Sequence, residues 1–202
     1  MNADRVRSRA PVLLLPALAL LLTACGGGSG HGGSGFTFLN VDLFSVSGST
    51  PVGAVNSNLD TANVSTTVCV TLSNNQKNPT VTAPTPLDNV TITSYTVTIS
   101  RFDGGPAPGP FNFNTAFTVP AGTIAANATS VSGNTARIPV VLVPAQAKRE
   151  PPLDPRPRLP LSTTADIVFR GRNGRGDDMS AEGTISLNFI SDETTAEAPA
   201  SC

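Results

Sequence analysis

The sequence predicts an all-β domain, an antiparallel two-sheet sandwich of about seven strands, and three observations carry that prediction. Apolar residues recur with period two in short runs, the repeat of a strand with one face on a core and one in water. Clusters of Gly, Pro, Asn and Ser part the runs and supply turns. After residue 35 no stretch shows the 3.6-residue repeat of an amphipathic helix.

Phe36 and Phe38 share one parity and Val41 and Leu43 the other, so a first strand needs a bulge near Leu39-Asn40 to bring all four onto one face. Ser47 to Asn63 reads as loop. A second strand alternates strictly: Val64, Thr66, Val68, Val70 and Leu72 face the core, and Ser65, Thr67, Cys69 and Thr71 face water. Asn74 to Asp88 is a loop in which Pro79, Pro84 and Pro86 forbid a central strand.

In the third strand Tyr95, Val97 and Ile99 point inward, while Val90 and Ile92 sit in the opposite phase, which predicts a bulge at Thr93-Ser94. Asp103-Gly104-Gly105 and the PAPGP that follows end it. Phe111, Phe113, Phe117 and Val119 mark a fourth strand. Ile138 to Val143 is almost continuously apolar, fitting either a strand covered on both faces or an edge against a partner. Gln146 to Leu161 is a long Pro-rich loop carrying Lys148, Arg149, Glu150, Arg156 and Arg158, either a recognition loop or a solvated connector. The last two strands, around Ala165-Arg170 and Thr184-Phe189, read as a hairpin with GRNGRGDDMSAEG between them.

A leader precedes the strands. Arg5, Arg7 and Arg9 form a positive n-region and Pro11 to Leu22 a short apolar h-region, so residues 1–24 are expected to be a signal peptide. Leu22-Thr23-Ala24-Cys25 resembles the lipobox of bacterial lipoproteins. The resemblance implies cleavage before Cys25, acylation of its sulfur with palmitate-type chains, and attachment to a membrane. Each buried methylene contributes about 0.8 kcal/mol, so one chain holds marginally and two or three hold durably. Gly26, where an Asp retains related lipoproteins at the inner membrane, implies the outer membrane, facing either periplasm or surface. The alternative is a secreted protein cleaved after Ala24, with Cys25 free for a disulfide.

Gly26 to Gly35, GGGSGHGGSG, has nothing to bury and behaves as a coil with a reach of about 17 Å. The expected organisation is thus a signal peptide (1–24), a lipidated cysteine and linker (25–35), a sandwich (36–190) and a polar tail (191–202). ITSYTVTISRFDGG and GTISLNF look like segments of small bacterial lipoproteins with immunoglobulin-like or fibronectin-type-III-like domains. That resemblance implies an Ig-like sandwich and carries over no functional residue.

Without residues 1–24, which hold three arginines and one aspartate, the chain has ten basic and thirteen acidic side chains, a balance that points to no nucleic acid partner. The sole histidine, His31, lies in the linker, so the domain lacks the base of a Ser-His-Asp triad or a Cys-His dyad. With no catalytic motif in view, the expectation is a non-enzymatic protein without a cofactor.

Cys69 and Cys202 remain once Cys25 is lipidated, and in an oxidising compartment they either form a disulfide or stay separate thiols. Asp103, Asp177, Asp178 and Glu182 are candidate calcium ligands, opposed by Arg172 and Arg175, and the reading without a metal is preferred. Arg175-Gly176-Asp177 spells a tripeptide that some animal integrins bind. The functional expectation is a lipid-anchored envelope module with a structural or protein-binding role. The alternative is a ligand-binding lipoprotein that takes a glycan or a calcium-dependent partner at a loop end or sheet face.

Overall fold

The computed structural model describes residues 37–44, 53–77, 83–123, 132–192 and 202. The leader, Cys25, the linker with His31, and Phe36 lie outside them. Numbered in chain order, β1 (Thr37–Phe44), β3 (Thr66–Gln76) and β6 (Thr135–Val143) form one sheet in the order β1-β3-β6. The other sheet runs β2-β8-β7-β4-β5, from β2 (Ala54–Asn58), β8 (Asp178–Ile190), β7 (Leu161–Asn173), β4 (Val90–Arg101) and β5 (Phe111–Val119). The fold is all-β and sandwich-like, with a single core between the sheets.

Period-two alternation builds that core. Val68, Val70 and Leu72 of β3 and Val140 and Leu142 of β6 are fully buried from one side; Val90, Ile92, Ile167, Phe169, Leu187 and Phe189 close it from the other. Each such side chain contributes about 1.5–3 kcal/mol by leaving water. In the middle, Tyr95 stacks on Phe113 with ring centroids 4.7 Å apart and leans on Phe169 at 5.7 Å. Its hydroxyl accepts the Val141 backbone N–H at 3.2 Å, so a side chain of the five-stranded sheet satisfies an edge donor of the other.

The bulge expected at Thr93-Ser94 is present: the pairing of β4 with both neighbours slips between Ile92 and Ser94. Val90 and Ile92 before the slip and Tyr95, Val97 and Ile99 after it are therefore all buried. Here β7 places Gly171, where a Cβ would lie 2.2 Å from the Thr91 carbonyl oxygen and 2.8 Å from Ile92 Cα. Only glycine admits that approach.

Several expectations are corrected. β1 pairs with β3 without a slip from Thr37 to Phe44, so there is no bulge at Leu39-Asn40. Thr37 and Leu39 are buried, and Phe38, half-buried, faces the other way. The stretch Ser47 to Asn63, read as loop, contains β2, an eighth strand that lies parallel to β8 as the one parallel pair among the described strands. An edge position is one of the two readings of Ile138 to Val143, and β6 does lie at the edge of its sheet, where a proline such as Pro139 is tolerated. The terminal hairpin is longer than its apolar core suggests, leaving only Gly174 to Asp177 as the tip.

Strand direction gives the molecule two ends. Thr37 pairs with Gln76, so β1 begins at the end that also holds the 3-10 turn Pro86–Asp88 and the β7-β8 tip. The opposite end holds the β4-β5 turn after Arg101, the 3-10 turn Gln146–Arg149 with the proline-rich segment behind it, and the exit from β8 at Ser191-Asp192.

Candidate functional site

Cys69 and Cys202 are bonded to each other, with Cα atoms 5.6 Å apart and a sequence separation of 133. The sulfur pair sits on the outer side of β3, the central strand of its sheet. That side is not the water face expected for it: Cys69 is fully buried and Thr67 nearly so. A residue on the outer parity of β3 thus ends up as dry as one in the core, with Cys202 bonded to it.

At the β1-entry end, Asp88 is the organising group. Its Oδ2 accepts the backbone N–H of Thr85 at 2.9 Å and the Thr85 hydroxyl at 2.8 Å, and its Oδ1 accepts Arg175 Nε at 2.9 Å. Burial pushes the carboxyl up, but the bonds from Arg175 and Thr85 outweigh that push and hold it below the ordinary carboxylate value. Buried Asn74 donates through Nδ2 to the carbonyls of Asp88 and Val119, joining the two sheets at this end. Between Thr85, Asn89, Pro120 and Ser132 lies an open cleft of about 440 Å3, with no charged or aromatic side chain among the described residues that line it.

The calcium candidates are not brought together. Asp103 follows the far end of β4, whereas Asp177 and Asp178 sit at the hairpin tip, at the opposite end of the same sheet, because Val90 pairs with Asn173 and Arg101 with Thr163. Asp103 is bound by Arg101 Nε at 2.8 Å and the Gly105 N–H at 3.1 Å, which hold its pKa at about 2. Asp177 accepts Asn173 Nδ2 at 2.9 Å, Asp178 accepts Arg172 Nε at 2.7 Å, and Glu182 stands exposed in mid-strand opposite Val168. Among the described residues no three His, Cys, Asp or Glu groups gather to hold a metal. The charged groups of the integrin-like tripeptide are bonded within the fold, Arg175 to Asp88 and Asp177 to Asn173.

The far end is built on a polar clasp. Asn58 Oδ1 accepts the N–H groups of Asp60 and Asp192, and its Nδ2 donates to the Asp192 carbonyl at 2.6 Å. Lys148, only 3% exposed, donates Nζ to the Asn58 carbonyl at 3.2 Å. Asp60 takes the Ser191 hydroxyl and pairs with Arg156; these bonds, Ser191 first, lower its pKa. Of the cations suggested for a recognition loop, Lys148 and Arg156 therefore fasten the loop down, and Arg149 and Arg158 stay exposed.

At the same end, Arg101 donates to Asp103 and to the Pro106 carbonyl, and Gly104 takes a positive φ of 71°. This fixed turn presents Phe102 at 70% exposure, one of two large apolar side chains so exposed among the described residues; Leu87 is the other. Sequence reasoning missed Phe102. The signal that could have found it is parity: with Tyr95, Val97 and Ile99 inward, Phe102 falls on the outward side with Thr98 and Ser100, an apolar residue where the pattern calls for a polar one.

Comparison with family models, with curated proteins and with solved structures gives no match.

Proposed function

We propose that this chain is a lipid-anchored protein of the outer membrane, a non-enzymatic Ig-like module that docks another envelope protein through its far loop end, with Phe102 as the contact. The Cys69-Cys202 bond carries the reading. Disulfides persist in oxidising, extracytoplasmic compartments, so the bond argues for export and for residues 1–24 as a removable signal. It also consumes two of the three cysteines, leaving Cys25, at the end of the lipobox-like Leu22-Thr23-Ala24-Cys25, for the acyl chains.

The position of Phe102 supports the docking role. A chain tethered through residues preceding Thr37 is held at one end, and Phe102 stands at the other on a turn locked by Arg101 and Asp103. A rigid exposed aromatic beside a satisfied polar rim is the anatomy of an interface anchor. Among the described residues, the cleft at the near end has no ring on which a sugar could stack, which favours a protein over a glycan.

Mass spectrometry of the native protein is expected to find an N-terminal acylated Cys25, with Cys25→Ser moving the chain to the soluble fraction. A protein that begins elsewhere and is soluble without detergent refutes the anchor. In crosslinked envelopes Phe102→Ala should lose the adduct that wild type and Leu87→Ala both form; an adduct indifferent to Phe102→Ala refutes the docking site.

A further inference from the structure

Leu87 is the counterpart of Phe102 at the near end, 53% exposed in the turn Pro86–Asp88. An exposed leucine on a mobile loop means little, but this one is held from three sides. Thr85 and Asp88 cap the turn reciprocally, Arg175 ties Asp88 to the hairpin tip, and Gly174 lies so close that a Cβ there would stand 2.9 Å from Leu87 Cα. Gly174 also donates its N–H to the Asn89 carbonyl at 3.2 Å. The backbone of Leu87 is thus braced at the end of the fold where β1 begins.

We infer that this end rests on the phospholipid surface that holds the anchor, with Leu87 entering the headgroup boundary. The inference depends on the anchor proposed above. Its occupant follows from where the chain outside the described residues joins the fold: residues 25–36 lead into Thr37, beside this turn, over a span of about 17 Å for a ten-residue glycine linker. A tether that short keeps the turn at high effective concentration near lipid, so a small apolar contact suffices to orient the domain. Two of the acidic groups around the turn are matched by cations, Asp88 by Arg175 and Asp178 by Arg172, which leaves the carboxylate of Asp177 as the single negative charge among these five groups. The resting pose also turns Phe102 away from the membrane.

The chain contains no tryptophan, so a single introduced indole reports its own surroundings. Leu87→Trp and Phe102→Trp proteins, acylated and reconstituted into phosphatidylcholine-phosphatidylglycerol vesicles containing brominated lipid, are compared by fluorescence. Quenching of the Leu87→Trp protein should exceed that of Phe102→Trp about threefold. Independently, in the unsubstituted protein, amide exchange at Leu87 to Asn89 should slow when the chain is anchored and recover when the linker is cut, with no change at Phe102 to Gly105. Equal quenching, or exchange indifferent to cutting, overturns the inference while Cys25 is shown to be acylated; an unacylated Cys25 overturns the anchor and this inference together.

Discussion

Removing the Cys69-Cys202 bond by Cys202→Ser is expected to lower stability by about 2–5 kcal/mol, and the two limits come from different pictures of the reduced protein. Closing a loop of 133 residues in the unfolded chain alone is worth about 5 kcal/mol. In the reduced folded protein, however, Cys202 is still leashed to Asp192 by ten residues, so part of the closure entropy is also regained in the native state. The difference between closing 133 residues and closing ten is (3/2)RT ln(133/10), about 2 kcal/mol. For a domain of this size each kcal/mol moves the melting temperature about 2–4 °C, so a fall of about 5–20 °C is expected. Circular dichroism melts of wild type, Cys202→Ser and the Cys69→Ala/Cys202→Ser pair measure it. A shift under about 2 °C in both variants would show that the bond constrains the unfolded chain far less than its span requires.

Gly171→Ala should lose about 1–3 kcal/mol or fail to fold, because the new methyl meets β4 backbone that the bulge fixes; urea midpoints measure this, and a neutral result refutes the close approach. Tyr95→Phe should lower stability by about 1–3 kcal/mol, since the buried ring stays and the Val141 N–H loses its acceptor; an unchanged midpoint in urea counts against that bond. The depressed pKa of Asp88 contributes stability that is fully present above the unfolded value near 3.8 and is lost as pH falls through the lower folded value. Melting temperatures from pH 6 down to pH 2 should therefore fall more steeply for wild type than for Asp88→Asn, and parallel curves would contradict this.

Where one residue's chemistry set local structure, the sequence could be read. The phase slip between Ile92 and Tyr95 revealed a bulge because both halves of β4 must turn apolar groups inward. Where long-range placement decided, it could not. β2, AVNSN, has a single large apolar residue, and its Ser57 and Asn58 are buried only because β8 and the Lys148 clasp come to them. Leu39-Asn40 differs for a related reason: hydrophobicity points Phe38 inward, but the register with β3 gives that face to Thr37 and Leu39. The acidic residues grouped by composition belong to opposite ends, a fact held only in the pairing of β4 with β7. Cys69 followed the outward parity and is buried nonetheless.

The placement of β2 also bears on the order in which the molecule can assemble. Ala54 finds its partner in Ser186 and Asn58 in Ile190, so an edge laid down early in synthesis has nothing to pair with until nearly the whole chain has emerged. Closing so wide a span is entropically slow. β1 and β3 can pair as soon as both are made, whereas β2 stays uncommitted until the last hairpin is free to receive it, so the five-stranded sheet gains that edge last.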